Sequence, residues 1–191
     1  MEKEINAFCR QIHEEDLEMI MNWRMLPEIT RYMNTDPKLT LEGQKQWFEK
    51  IKKSDKDFYW ILEVDGTPAG VVSLVDYDSN QIHTGVYIAV KEKRSLKLAL
   101  YLQWNLYRYA FEYLEVHKVC EEVFSENKEV NRILDMCGSK REGVLRDSVC
   151  KNGKYYDVVA RGILRSEWEE VKEKRAFDMI SFEIKGENRC Y

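Results

Sequence analysis

The sequence predicts an α+β fold, a central and mostly antiparallel sheet flanked by helices and containing one parallel crossover. Three observations carry that expectation. Apolar residues recur at helical spacing over the first fifty positions. Residues 58–90 then hold three short apolar runs separated by turn signals, the texture of an antiparallel meander. Beyond them a long helical pattern, a strand-like run and a second helical pattern alternate, as a parallel crossover requires.

Residues 5–10 read as a short strand. Leu17, Ile20, Met21 and Arg24 lie at helical spacing and predict a helix over 14–24. Pro27 opens a second helix through Ile29 and Met33, since proline is tolerated in a first helical turn. Thr40 has the side chain of an N-cap, and Leu41, Trp47, Phe48 and Ile51 continue from it on one face of a third helix. The strand FYWILEV meets Asp65-Gly66, a two-residue hairpin signal, and AGVVSLVDY is its partner. IHTGVYIAV, residues 82–90, forms the next strand. A helix is expected over 96–114, with Leu96, Leu100, Trp104, Tyr107, Phe111 and Leu114 as its apolar stripe. Strand 118–124 and helix 128–137 follow, the latter stopped by Gly138. Asn152-Gly153 turns one strand back on another. From about 166 the charged tail reads as helical and then irregular, an appendage to one domain over 1–191.

Composition narrows the function. With 30 basic against 34 acidic side chains, the chain has no surplus of cations for a nucleic-acid backbone. Five scattered cysteines without a C-x-x-C pair, and three histidines without ligand spacing, suggest no metal site and a reducing compartment. No run of eighteen apolar residues and no signal-like leader is present, so a cytoplasmic protein without membrane contact is expected. Partial exposure of the long helix containing Trp104 would suggest the face of a homodimer.

A helix entered from a strand through a charged loop is a natural phosphate site, because its first amides lack internal partners and its dipole favours an anion. That loop reads Arg94-Ser95-Leu96-Lys97-Leu98-Ala99. It resembles the R/Q-x-x-G-x-G/A loop of the GNAT superfamily of acetyl-CoA-dependent N-acetyltransferases, with Lys97 in place of a glycine. Asn127-Lys-Glu-Val130 resembles the family's next motif, with Leu134 where a tyrosine is usual and Gly138 at the closing glycine. The ending EGVLRDSVCKNGKYYDVVARGILRSEW is similar to the branch that acetylates ribosomal proteins. WRMLPEITRYM, LTLEGQKQWFEKI and YAFEYLEV are similar to the branch that acetylates a UDP-linked amino sugar in pseudaminic acid biosynthesis.

The resemblance implies a GNAT (acyl-CoA N-acyltransferase) fold whose fourth and fifth strands splay apart to admit acetyl-CoA. Backbone groups of Ile88 and Val90 would pair with the pantetheine arm as an added strand would. Residues 94–99, that is Arg94, Ser95, Leu96, Lys97, Leu98 and Ala99, would wrap the pyrophosphate, and Asn127 would hold the arm from the other side. A helix N-cap is the alternative reading of Asn127. Lys97 restricts backbone geometry that glycine would allow but brings a cation. Glu122 would serve as the base; a solvated strand carboxylate is its alternative. Adjacent strand residues face opposite ways, so Glu121 and Glu122 cannot both face the cleft. Leu134 cannot protonate the leaving thiolate, which leaves Tyr155, Tyr156 or water.

For the substrate the likeness implies Arg24, Met33, Gln44 and Trp47, with Ser73 and Tyr87 lining the sugar end. Arg24 suits a diphosphate and Trp47 a stacked uracil; a helix C-terminus and a core position are their alternatives. Gln44 and Asn34 depart from a histidine and an aromatic of the sugar-nucleotide branch. A polyamine or protein N-terminal acetyltransferase, or a non-catalytic acetyl-CoA or nucleotide sensor, are the competing functions.

Overall fold

The computed structural model describes residues 5–174, 177–187 and 189–191. Eight strands form one sheet in the order β6-β7-β5-β4-β3-β2-β1-β8. They are β1 (Ala7–Gln11), β2 (Phe58–Val64), β3 (Thr67–Val75), β4 (Gln81–Ile88), β5 (Lys118–Phe124), β6 (Lys140–Lys151), β7 (Lys154–Leu164) and β8 (Ser181–Phe182). The helices are α1 (Leu17–Arg24), α2 (Pro27–Thr30), α3 (Leu41–Lys53), α4 (Leu96–Arg108), α5 (Lys128–Cys137) and α6 (Arg165–Lys172).

Local chemistry sets most boundaries. Thr40 caps α3 by accepting the Gly43 amide at 3.2 Å. Asp65 and Gly66 turn β2 into β3 with φ of 54° and 72°, and Asn152 and Gly153 turn β6 into β7 with 52° and 77°. Gly138 ends α5 in the left-handed region at φ 95°. The chain before α1 is a short 3-10 turn at Glu14–Asp16, and α2 stops at Thr30 rather than reaching Met33.

The long helix differs from expectation at both ends. The α-helical part stops at Arg108, and a π turn over Tyr109–Tyr113 follows, closed by the Leu114 amide on the Tyr109 carbonyl at 3.0 Å. The turn seats Tyr109 edge-on against Trp60, with ring centroids 5.2 Å apart. At the other end Leu96 is 52% exposed, so it lies outside the expected stripe. Trp104 is buried against Trp168 and Phe177.

Two apolar clusters lie on opposite faces of the sheet. Trp60, Leu62, Val72, Leu74, Ile82 and Val119 pack with α4 and Trp168 of α6. Ile61 and Val71 pack on the other face with Leu17 and Ile20 of α1 and Phe48 and Ile51 of α3. The tail joins the larger cluster. Ile180 and Phe182 are fully buried, and β8 pairs parallel with β1. The irregular ending expected from its charge is therefore an added strand.

β4 and β5 run parallel but pair only through Gln81↔Lys118, Ile82↔Val119 and His83↔Cys120. Beyond His83 they part, while β4 remains paired to β3 as far as Ile88. Just past that point the Ala89 and Val90 amides both donate to the Ala69 carbonyl, at 2.7 and 3.1 Å. Two residues against one is a β-bulge, which bends the strand. The two strand ends thus leave a gap in the sheet between them.

Candidate active site

Hydrogen-bond alternation decides what the gap offers. In an antiparallel ladder, residues facing the partner alternate with residues whose N–H and C=O turn away. Because Ala89 bonds to Ala69, the outward positions on β4 are Thr84, Val86 and Ile88. Among the described residues no strand pairs with that edge beyond His83. An extended, amide-bearing molecule finds here the same groups a strand would use. Apolar side chains at the rim are exposed as well: Val86 from β4, Leu96 at the start of α4 and Val130 in the first turn of α5.

The loop into α4 is built to end at a helix N-terminus. Ser95 is the N-cap and accepts the Leu98 amide at 3.1 Å. The Arg94 guanidinium turns back, donating to the Ile88 carbonyl at 2.8 Å and the Ala89 carbonyl at 3.0 Å. It thereby ties the loop to the bulged end of β4. Val90 has its amide on Ala69 and its carbonyl under the Lys93 amide at 3.1 Å. Of the two strand residues expected to offer backbone to a cofactor, Ile88 turns its amide to the gap while its carbonyl accepts from Arg94, and Val90 is engaged on both groups. Lys93 pairs with Asp65 at 3.0 Å. Lys97 lies 3.8 Å from the Asp178 carboxylate and 5.4 Å from the Tyr101 ring. Leu98 is buried beneath the loop, and Ala99 closes the turn through its amide on the Ser95 carbonyl at 3.1 Å.

Asn127 caps α5, its side chain accepting the Val130 amide at 3.3 Å. The N-cap geometry is thus present at this position. Leu134 is buried and carries no proton to give.

Facing direction sorts the remaining candidates. The pairs His83↔Cys120 and Val71↔Tyr87 put Ser73, Tyr87 and Glu122 on the face covered by α1 and α3. Glu122 is exposed there. Its neighbour Glu121 points into the opposite cluster, where it is 3% exposed and accepts from the Tyr107 hydroxyl and, at 2.8 Å, from Ser139. Burial pushes the Glu121 carboxyl above its ordinary pKa. Tyr156 stacks on Phe124, with rings 5.2 Å apart, on the Glu122 face; Tyr155 projects into solvent at 61% exposure.

Trp47 meets the Tyr59 ring edge-on at 5.3 Å, and both border the smaller apolar cluster with Tyr87. Ser73 donates to the Gly85 carbonyl at 3.3 Å. Gln44 is buried, and its Oε1 has no partner. Arg24 ends α1 with Nη2 on the Thr35 hydroxyl at 3.1 Å and Nη1 buried without a partner. Partial burial lowers its pKa, and burial raises that of the neighbouring Tyr87 phenol. Met33 contributes its carbonyl, which accepts from Lys151 at 3.2 Å.

Sequence reading missed that last contact. Lys151 and Asn152, at the tip of the β6–β7 hairpin, both bind Asp36 in the segment between α2 and α3. Only the Asn-Gly turn marks the tip in sequence, and nothing there marks its partner. Among the described residues no group of His, Cys, Asp or Glu is arranged to hold a metal. No described helix is long and apolar enough to cross a membrane.

A sheet opened between two parallel strands, with a helix N-terminus at its mouth, is the frame of an acyl-CoA-dependent transferase. The family model described as an acetyltransferase (GNAT) domain matches residues 8–140, and the chain belongs to that family. It is an N-acetyltransferase that takes its acetyl group from acetyl-CoA. It is 28% identical over 167 residues to YokL, a prophage-derived N-acetyltransferase of Bacillus subtilis, covering 86% of this chain and 93% of that one. It is 24% identical to the acetyltransferase PseH of Campylobacter jejuni, over 64% of this chain and 76% of PseH. In three dimensions it is similar to the Vibrio cholerae spermidine N-acetyltransferase solved with CoA and spermine. That likeness has a TM-score of 0.80 at 23% identity, over 85% of this chain and 98% of the other.

Proposed function

We propose that the chain acetylates the amino group of a nucleotide-linked amino sugar, the UDP-sugar class of pseudaminic acid biosynthesis. The observation that carries this reading is Arg24. Its guanidinium is partly buried on the acceptor face, with Nη1 unpartnered and aromatic side chains close by. A buried donor of a charged group costs stability unless a ligand meets it. A diphosphate supplies paired oxygens for such a fork, and Trp47 or Tyr59 supplies a surface for a base.

The amine must be neutral to attack. A lysine-type amine with pKa of about 10.4 is protonated at neutral pH, so a base on the acceptor face is needed. Glu122 is the exposed carboxylate of that face. When bound, acetyl-CoA supplies the thioester acetyl group. The outward edge of β4 from Thr84 to Ile88 would hold its arm, and the start of α4 its phosphates. Asn127, as cap of α5, would orient the far side of the gap.

A polyamine acceptor is the second reading, favoured by the fold likeness to the spermidine enzyme. The uncompensated Arg24 cation opposes a polycation at that place. Incubation with acetyl-CoA and, separately, UDP-amino sugars, spermidine and peptides decides by thiol release. Release with the sugars alone supports the proposal; release with spermidine alone overturns it.

A further inference from the structure

Arg24 has no direct carboxylate partner among the described residues, although a carboxylate adjoins its Thr35 partner in the chain. The Thr35 hydroxyl that receives Nη2 belongs to the residue before Asp36. Asp36 is turned the other way. Its Oδ1 lies 2.9 Å from the Lys151 ammonium and its Oδ2 accepts the Asn152 side-chain amide at 2.8 Å. The Lys151 side chain is only 9% exposed. Besides Asp36, it donates to the Thr30 carbonyl at 2.5 Å and the Met33 carbonyl at 3.2 Å. The hairpin tip therefore clasps the segment between α2 and α3 and occupies both oxygens of its one carboxylate.

We propose that Lys151 and Asn152 are specificity-determining positioning residues. By sequestering Asp36 they keep the Arg24 guanidinium out of a direct internal ion pair and so available to an anionic group of the acceptor substrate. The inference rests on the nucleotide-sugar reading for the identity of that anion, but the capture of Asp36 stands on geometry alone. Two opposite charges a few ångströms apart at a partly buried site attract strongly. A released Asp36, which adjoins the Thr35 that already meets Arg24, would compete for the guanidinium. The electrostatic influence of Asp36 on Arg24 is already felt with the clasp closed.

The test separates charge from shape. In Lys151→Met the full-length chain loses the ammonium but keeps the hairpin. The guanidinium NMR signals of Arg24, without ligand, are expected to shift to those of a carboxylate-paired arginine. UDP affinity is expected to fall roughly tenfold, equivalent to about 1.4 kcal/mol. Adding Asp36→Asn in the same chain is expected to restore both signals and UDP affinity, while acetyl-CoA affinity stays constant throughout. Unchanged Arg24 signals in Lys151→Met overturn the inference, whether or not UDP binds. Equal weakening of UDP in the single and double variants also overturns it, because hairpin placement rather than the Asp36 charge would then be at work. Failure of the wild type to bind UDP counts against the nucleotide reading alone, and the Arg24 signals still decide the inference.

Discussion

Adjacent residues with the same side chain end in opposite environments at Glu121 and Glu122. Strand alternation sends one into the core and the other to the face covered by α1 and α3, and their chemistry diverges accordingly. Glu122→Gln keeps the shape and removes the carboxylate proposed as the base. It is expected to lower kcat by 100-fold or more, on the order of general-base contributions, with acetyl-CoA affinity unchanged by calorimetry. Glu121→Gln should act on stability instead. Burial raises the folded carboxyl above its unfolded pKa, so the native chain binds this proton more tightly. That contribution is complete below the ordinary glutamate value of about 4.3, and it is lost as pH rises through the higher folded value. Urea midpoints of the wild type should therefore fall, as pH rises above the ordinary glutamate range, by more than those of Glu121→Gln. Parallel pH profiles would refute the assignment. The sequence says that one of the two glutamates is inward; which one follows only from the register of β5 with β4 and β7.

At the scale of elements, the opening between β4 and β5 depends on how β3 holds β4. A Cβ at Gly70 would lie 2.2 Å from the Tyr87 carbonyl oxygen and 2.9 Å from the Ile88 Cα. Backbone cannot yield as a side chain does. Gly70→Ala is expected to destabilise the fold by about 3 kcal/mol, as strain in a packed strand does. It should also weaken acetyl-CoA binding, because the displaced strand is the one that offers Thr84, Val86 and Ile88 to the gap. Denaturant melts and cofactor titration check both effects; wild-type behaviour in either would show that β4 tolerates the shift. The hairpins at Asp65-Gly66 and Asn152-Gly153 and the cap at Thr40 were legible because each is a local rule satisfied within four residues. The bulge at Ala89 and Val90 was not, because both amides answer to Ala69, twenty residues earlier. The π turn at Tyr109–Tyr113 was hidden for a related reason: aromatic packing against Trp60 and Phe182 selects it over a continuous helix.

For the molecule as a whole, the charged C-terminal stretch is part of the core. Ile180, Phe182 and Ile184 are buried, and the Trp60 indole donates to the Glu183 carbonyl at 2.8 Å. Three buried side chains at about 2 kcal/mol each are comparable to the net stability of an ordinary domain, about 5–15 kcal/mol. A chain ending at Lys172 is expected to lose cooperative thermal unfolding or to melt at least ten degrees lower, read by circular dichroism. An unchanged melt would mean that the tail merely lies on the surface. Its average composition hid this role, since Ile180, Phe182 and Ile184 alternate with Ser181 and Glu183. That alternation is itself a strand pattern, too short to stand out from the surrounding charge.

The sequence alone determined the class of fold, the order of nearly all the strands and helices, and membership in the acetyltransferase family. These depend on periodicity, on turn and cap chemistry and on motif spacing, which are local properties of the chain. The tertiary structure decided which groups the site brings together. It set Glu122 outward, committed Lys93 and Lys97 to carboxylates, turned Arg94 back onto β4, and held Asp36 away from Arg24. The physical reason is that partners for charged and hydrogen-bonding groups are chosen by proximity in space, here across a sequence separation of 116 between Asp36 and Asn152, and no local pattern records that choice.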